Sequence, residues 1–111
     1  DYIRALVLEP KDVLAYIGRG EVYYTLKQYD KSLADCNKVV ELDPENAEAY
    51  NNRACVYEAL KQYDKALADL NKAIELAPKW AVAYNNRASV YQALGRSQEA
   101  KADRAKAASL Q

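Results

Sequence analysis

The chain has 111 residues and no net charge, because 16 basic residues balance 16 acidic ones. Binding to nucleic acid or to an anionic membrane by bulk electrostatics needs a concentrated basic face, so this balance argues against both. No apolar run reaches the roughly 18 residues that a membrane-spanning helix needs. The chain also has no histidine, and its two cysteines are too few for a Cys/His metal site. We therefore expect no metal and no cofactor.

The two cysteines are Cys36 and Cys55, and both fall in segments with helical periodicity. Each stands where a small apolar residue fits. The chain lacks the cysteine density of a small secreted scaffold, so we predict two free thiols rather than a disulfide. A reducing, cytoplasmic compartment is the expectation that follows.

Three prolines, Pro10, Pro44 and Pro78, lie 34 residues apart and divide the chain. Each follows a helical pattern that it cannot continue, and Asp12 and Asn46 stand where a helix N-cap is wanted. The periodicity predicts a first and a second helix in each unit. The predicted first helices are 13–26, 47–60 and 81–94, and the predicted second helices are 29–42, 63–76 and 97–110. The units are 11–44, 45–78 and 79–111.

Residues 1–10 align with residues 35–44, which end the second helix of the first unit. We expect them to be part of the second helix of an upstream repeat, in a chain cut from a longer protein. Loss of the preceding helix would expose apolar surface near Tyr2 and Leu6. Leu14 and Ile17 would add to that surface, which would allow two copies to pair. Self-association through this N-terminal end is therefore one functional alternative.

Small residues recur at fixed positions of both helices. In the first helices they lie between two tyrosines, as Tyr16, Gly20 and Tyr23; Tyr50, Ala54 and Tyr57; and Tyr84, Ala88 and Tyr91. In the second helices they lie seven residues apart, as Ser32 and Val39, Ala66 and Ala73, and Ala100 and Ala107. Large rings beside small residues let two helices approach closely. This pattern predicts core packing rather than a cofactor site.

The 34-residue period, the paired tyrosines, the small residues and the closing proline together resemble the tetratricopeptide repeat family over all 111 residues. The resemblance implies an all-α, right-handed superhelical solenoid of antiparallel helix-turn-helix repeats. This chain would hold about three units and a partial N-terminal helix. Two departures from the family recur along the chain. The glycine of the inter-helix turn is present only as Gly95, and leucine is replaced by Arg19, Arg53 and Arg87.

The last helix carries polar residues where the other second helices are apolar. Ser97 stands at the position of Tyr29 and Tyr63, and Arg104 stands at that of Cys36 and Leu70. A terminal repeat needs a polar outer face. We therefore predict that this helix caps the array and that the third unit lies near its C-terminal end.

Arginine and aspartate also recur at fixed positions. The arginines are Arg19, Arg53 and Arg87, and the aspartates are Asp1, Asp35, Asp69 and Asp103. An arginine near a helix interface is rarely left unpaired. We predict structural ion pairs, with the aspartate supplied by the same unit or by the one before. The alternative is a ladder that binds an anionic ligand.

A second face of the first helices differs from unit to unit, and we call it the groove stripe. It comprises Leu14, Ile17, Glu21 and Tyr24; Glu48, Asn51, Cys55 and Glu58; and Val82, Asn85, Ser89 and Gln92. Spacings of three, four and three residues place each set on one side of its helix. In the resembling family this side lines the concave groove, which holds peptide segments of other proteins. Packing does not demand such variety, but a surface that recognises a ligand could.

Asn52 and Asn86 adjoin the groove stripe and complete the predicted peptide-binding groove. An amide side chain offers two donors and an acceptor, which suits bonding to a peptide backbone. The alternative is that these amides are solvated or bond to neighbouring helices.

The charge of the groove predicts the class of ligand. Its formal charges are Glu21, Glu48 and Glu58, and its N-terminal end is apolar through Leu14, Ile17 and Tyr24. We therefore expect a neutral or basic protein segment with an apolar anchor. Family members that clamp an acidic C-terminal carboxylate use Lys, Asn, Asn, Lys and Arg. The corresponding residues here are Ile17, Glu21, Asn52, Val82 and Asn86, of which only Asn52 matches.

The sequence contains no nucleophile elbow, no phosphate-binding glycine loop and no other catalytic constellation. It therefore predicts a non-enzymatic protein–protein interaction scaffold that binds a partner segment in the concave groove. A second alternative is a substrate-docking or regulatory domain of a larger enzyme.

Overall fold

The computed structural model describes residues 12–111. The predicted helix at residues 1–10, with Asp1, Tyr2 and Leu6, lies outside the described residues. The described part contains six α-helices: α1 Val13–Thr25, α2 Tyr29–Leu42, α3 Ala47–Ala59, α4 Tyr63–Leu76, α5 Ala81–Ala93 and α6 Ser97–Ser109. Their bounds agree with the predicted helices to within one residue. The all-α helical repeat solenoid is confirmed for residues 12–111, which contain no strand.

The contacts between helices show which side of the stack is concave. Each first helix packs most closely on the second helix of its own unit, while α2 packs on α3 and α4 packs on α5 of the next unit. The first helices also contact one another, α1 with α3 and α3 with α5. No such contact joins α2 with α4 or α4 with α6. The first helices are therefore crowded together on the inner side of the curve, and the second helices are spread on its outer side.

Local sequence sets the ends of the first helices. The side chains of Asp12 and Asn46 accept hydrogen bonds from the backbone N–H of Ala15 and Ala49, at 3.2 and 3.1 Å, as their N-cap positions predicted. α5 begins after Trp80, whose side chain makes no such bond. The inter-helix turns place Lys27, Lys61 and Gly95 at φ of 61°, 61° and 76°. In this left-handed conformation a side chain is strained, and glycine is favoured.

The core forms at the predicted small residues. Gly20 contacts α2 closely, and a Cβ added there would lie 3.4 Å from the Cβ of Asp35. Ala54, Ala66 and Leu70 form one buried cluster with Val90 of the next unit. The tyrosines are used for packing, as predicted. Tyr50 and Tyr84 are buried, and their hydroxyls donate to the carbonyl oxygens of Pro44 and Pro78 at 2.8 Å.

Among residues 12–111, no helix has the length and apolar character needed to cross a bilayer.

Candidate functional site

The three arginines each form an ion pair with the aspartate of their own unit. Arg53 Nε donates to Asp69 Oδ2 at 2.8 Å, and Nη2 donates to Oδ1 at 2.7 Å. The same bidentate contact joins Arg19 to Asp35 and Arg87 to Asp103. All three of these aspartates are buried. The hydrogen bonds that each guanidinium donates to its carboxylate raise the pKa of each of the three arginines. Of the two partners that the sequence allowed, the structure uses the one in the same unit.

Each arginine also has further neighbours. The guanidinium carbon of Arg53 lies 5.6 Å from the ring centre of Tyr50 and 5.9 Å from that of Tyr57. Its Nη1 donates to Asn37 Oδ1 of the preceding unit at 3.1 Å. Arg87 repeats this arrangement with Asn71. Arg53 and Arg87 each donate three hydrogen bonds to protein acceptors and Arg19 donates two, which favours structural ion pairs over a ladder for an anionic ligand.

The groove stripe lies on the first helices and hence on the inner side. Its members divide by exposure. Leu14, Glu21, Tyr24, Glu48, Val82, Asn85, Ser89 and Gln92 are exposed. Asn52, Cys55, Glu58 and Asn86 are half-buried, and Ile17 and Asn51 are buried. Most of the predicted residues are therefore open to a ligand.

The sequence pattern placed Ile17 and Asn51 in the groove, and for these two residues the prediction was wrong. Both are buried by packing between units. Ile17 is 9% exposed and packs against Val39 and Ala49. Asn51 lies under the next unit, where its Oδ1 accepts from Asn86 Nδ2 at 2.8 Å. At the same position of the third unit Asn85 is exposed. The following unit covers this position, so it belongs to the interface between repeats.

Two further bonds join α3 to α5 across the inner side. Asn86 Nδ2 also lies 3.7 Å from Cys55 Sγ, and Ser89 Oγ donates to Glu58 Oε2 at 2.6 Å. Asn86 therefore follows the alternative in which the amide bonds to a neighbouring helix. Asn52 differs from Asn86, because it faces the cleft described next.

A cleft of about 230 Å³ opens between α1, α2 and α3, and we call it the Gly20 cleft. It is lined by Gly20, Glu21, Tyr24, Thr25, Ser32, Cys36, Asn52 and Cys55. Four of these residues, Gly20, Thr25, Ser32 and Cys36, are absent from the predicted groove. For Gly20 and Cys36, a comparison of the units could have indicated the cleft, because the second unit has the larger Ala54 and Leu70 at these positions. Both are 1% exposed in a filled core.

The walls of the Gly20 cleft are mainly apolar at neutral pH. Burial raises the pKa of Cys36 to about 12 and that of Cys55 to about 11, so both thiols keep their protons. Both cysteines are free. Burial also raises the pKa of Tyr24, with smaller contributions from Cys55, Tyr29 and Glu58. The Tyr24 ring lies 5.8 Å from that of Tyr29, at an interplanar angle of 59°.

Residues 12–111 contain no group of three or more His, Cys, Asp or Glu side chains arranged to hold a metal ion. The arrangement on the inner side offers instead apolar contact, amide hydrogen bonds and exposed carboxylates. Such a surface can bind a ligand.

Comparison with known proteins agrees with this architecture. Two family models, both described as tetratricopeptide repeat, match the chain, one at residues 13–46 and 47–79 and the other at residues 70–102. No curated protein sequence matches the chain.

Several solved structures have the same fold. The first repeat domain of Spaghetti (RPAP3), bound to the HSP90 peptide SRMEEVD, is 30% identical, with a TM-score of 0.86 over 89% of this chain and 79% of that one. The Arabidopsis OM64 repeat domain is 29% identical, with a TM-score of 0.86 over 89% and 82%. MamA is 25% identical, with a TM-score of 0.89 over 99% of this chain but 64% of MamA. The family models cover most of the chain, and the chain therefore belongs to the tetratricopeptide repeat family.

Proposed function

We propose that the chain is a non-enzymatic protein–protein interaction module that holds an extended or helical segment of a partner in its concave groove. The proposal depends on one observation: on the first helices, the recurring residues and the variable residues have different roles. The recurring arginines and tyrosines are occupied in packing and ion pairs. The residues that vary between units lie mostly exposed on the inner side. Variable and accessible side chains on a repeated framework suit ligand recognition.

Two related structures support a peptide as the ligand. Both repeat domains of Spaghetti (RPAP3) are bound to the HSP90 peptide SRMEEVD. That peptide is acidic, whereas the inner side of this chain presents Glu21 and Glu48 to solvent. The two lysine positions of the family's carboxylate clamp hold Ile17, which is buried, and Val82. The ligand that suits this groove is therefore neutral or basic.

The apolar anchor of the ligand would meet the exposed apolar residues of the inner side. Leu14 is 75% exposed and Val82 is 48% exposed. We also propose a reducing, cytoplasmic setting, which the two free thiols support. A single module of this size would bind with micromolar affinity, about −8 kcal/mol.

A peptide selection tests the proposal. A phage-displayed peptide library is selected on the immobilised chain, and the selected peptides are synthesised and titrated by fluorescence polarisation. We expect Glu48→Lys, on the inner side, to weaken binding of basic peptides at least about fivefold, because the change removes a favourable charge contact and adds a repulsive one. Glu75→Lys, an equal charge change on the exposed outer side of α4, is the matched control. Equal effects of the two changes would contradict groove binding.

The asparagines allow a second comparison within the same assay. Asn52→Ala removes an amide that lines the Gly20 cleft, and we expect it to weaken binding if that amide holds the peptide backbone. Unchanged capture by Asn52→Ala/Asn86→Ala, in protein that remains folded, would remove both amides from the binding site.

Self-association is a second candidate, because three apolar side chains of the first unit are exposed. Leu14, Val22 and Leu26 face solvent, whereas Val56, which occupies the position of Val22 in the second unit, is buried. Sedimentation at two protein concentrations tests this candidate. A concentration-dependent increase in mass that Val22→Ser/Leu26→Ser abolishes would support it, and a constant monomer mass would exclude it.

A further inference from the structure

The Gly20 cleft combines an apolar interior with an acidic mouth. Gly20 leaves space that a side chain would occupy, and the two thiols beside it are neutral at pH 7. Glu21 lies at the mouth and is exposed. Glu58 lies close enough to Tyr24 to contribute to the raised pKa of its phenol. The mouth is therefore a region of negative potential above an apolar space.

The size of the cleft limits what it can hold. A site for a drug-sized ligand has a volume of roughly 300–1,000 Å³, and this cleft has about 230 Å³. It therefore suits a single side chain rather than a whole small molecule. The second unit shows that the space is specific to the first, because Ala54 and Leu70 fill the corresponding positions.

Long basic side chains match both parts of the cleft. Lysine and arginine bury an apolar stem while their charged end stays near water. The charged end would meet Glu21 and the face of the Tyr24 ring, and a cation is attracted by both groups. An apolar side chain would match the interior alone, and an acidic one would be repelled at the mouth.

We propose that the Gly20 cleft is a specificity pocket for one arginine or lysine side chain of the bound segment. The stem packs against Cys36 and Cys55, and the cation lies at Glu21 beside Tyr24. This inference rests on the proposed function, since it names the side chain that the groove selects from a partner protein. It places this side chain at the opening between α1, α2 and α3, apart from the apolar contacts proposed at Leu14 and Val82.

Side-chain mimics test the pocket without any peptide. n-Butylguanidinium and n-butylammonium are titrated into ¹⁵N-labelled protein and followed by amide chemical shifts, with 1-pentanol and valerate at the same ionic strength as comparisons. We expect both cations to shift the amides of Gly20 and Cys55 saturably. We expect 1-pentanol to bind at least about threefold more weakly than the cations, because it lacks one exposed charge contact. We expect valerate not to bind.

Two variants locate the effect. Gly20→Ala/Cys36→Leu gives the first unit the residues of the second, and the added Cβ at position 20 would make only ordinary contacts. We expect this variant to melt no lower than the wild type and to lose the cation-induced shifts. Glu21→Gln leaves the cleft open and should weaken both cations about threefold to fivefold. Glu75→Gln, on the outer side, should change nothing.

The outcomes separate this inference from the proposed function. Equal binding of 1-pentanol and the two cations, or cation binding retained by a folded Gly20→Ala/Cys36→Leu variant, would overturn the pocket. The pocket would also be overturned if the selected peptides contain no arginine or lysine, bind in the groove, and bind Glu21→Gln with unchanged affinity. The proposed function would then remain intact. Saturable cation binding at the cleft with no peptide selected would support the pocket and count against the peptide-holding function.

Discussion

Arg53 offers the sharpest test of whether the recurring arginines hold the fold together. Its side chain is 20% exposed, and that of its partner Asp69 is 7% exposed. The change Arg53→Leu restores the residue type that the family pattern has here, but it leaves the buried carboxylate of Asp69 without its two guanidinium hydrogen bonds. Removing one member of a buried ion pair costs about 3–5 kcal/mol. Because one-fifth of Arg53 is exposed, we expect the low end, about 3 kcal/mol.

Thermal and urea unfolding followed by circular dichroism measure this loss. For a domain of this size, 1 kcal/mol corresponds to about 4 °C in Tm, so Arg53→Leu should melt about 12 °C below the wild type. Asp69→Ala should cost less, since the guanidinium left behind can still reach water and Asn37. The double variant Arg53→Leu/Asp69→Ala should be more stable than Arg53→Leu alone, because no unpaired buried charge remains.

The refuting result is also specific. If Arg53→Leu melts at the wild-type temperature and instead loses a bound anionic peptide, the arginines form a ligand ladder and the ion-pair interpretation is wrong. If the double variant is no more stable than Arg53→Leu, the loss of stability comes from lost packing against the tyrosine rings and not from the unpaired carboxylate of Asp69.

Three further changes test other parts of the structure. Lys61→Gly should raise the free energy of unfolding by about 0.5–1 kcal/mol, since its φ of 61° strains a side chain, and Gly95→Lys should lower it by a similar amount in urea titrations. Asn86→Ala should cost about 1–2 kcal/mol, because it leaves the buried side-chain oxygen Oδ1 of Asn51 without its donor. An unchanged urea midpoint would mean that water replaces the Asn86 amide. Burial raises the pKa of Cys36 from 9.0 to about 12, so the unfolded chain loses this proton first as the pH rises. Between about pH 9 and pH 12 the stability of the wild type should therefore fall more steeply than that of Cys36→Ala, and parallel profiles would contradict the raised pKa.

The sequence predicted the helices and their ends because local rules decide both. The N-cap side chains of Asp12 and Asn46, and the prolines that follow α2 and α4, act within a few residues of themselves. The ion pair of Arg53 could also be predicted from the sequence, because the arginine and aspartate positions recur together. The choice of the aspartate in the same unit needed the distance between helices, which the structure supplies.

The groove was harder to predict, because helical periodicity assigns a residue to a side of its helix and not to a depth. Ile17 and Asn51 share their side with exposed residues, yet the next unit covers them. The Gly20 cleft depends on a joint loss of volume at Gly20 and Cys36, on different helices. Neither residue is unusual by itself. The cleft that they leave is evident only when α1 and α2 are packed together.

The contacts of the arginines reach across two units, and this affects how the array unfolds. Arg53 and Arg87 each bond to an asparagine of the preceding unit while holding the aspartate of their own. In a repeat protein, stability is a sum of terms within units and terms between neighbours, and the latter set how cooperatively the units melt. The bonds to Asn37 and Asn71 belong to the between-neighbour terms. Weakening them would broaden the transition, so that end units fray while the middle of the array stays folded.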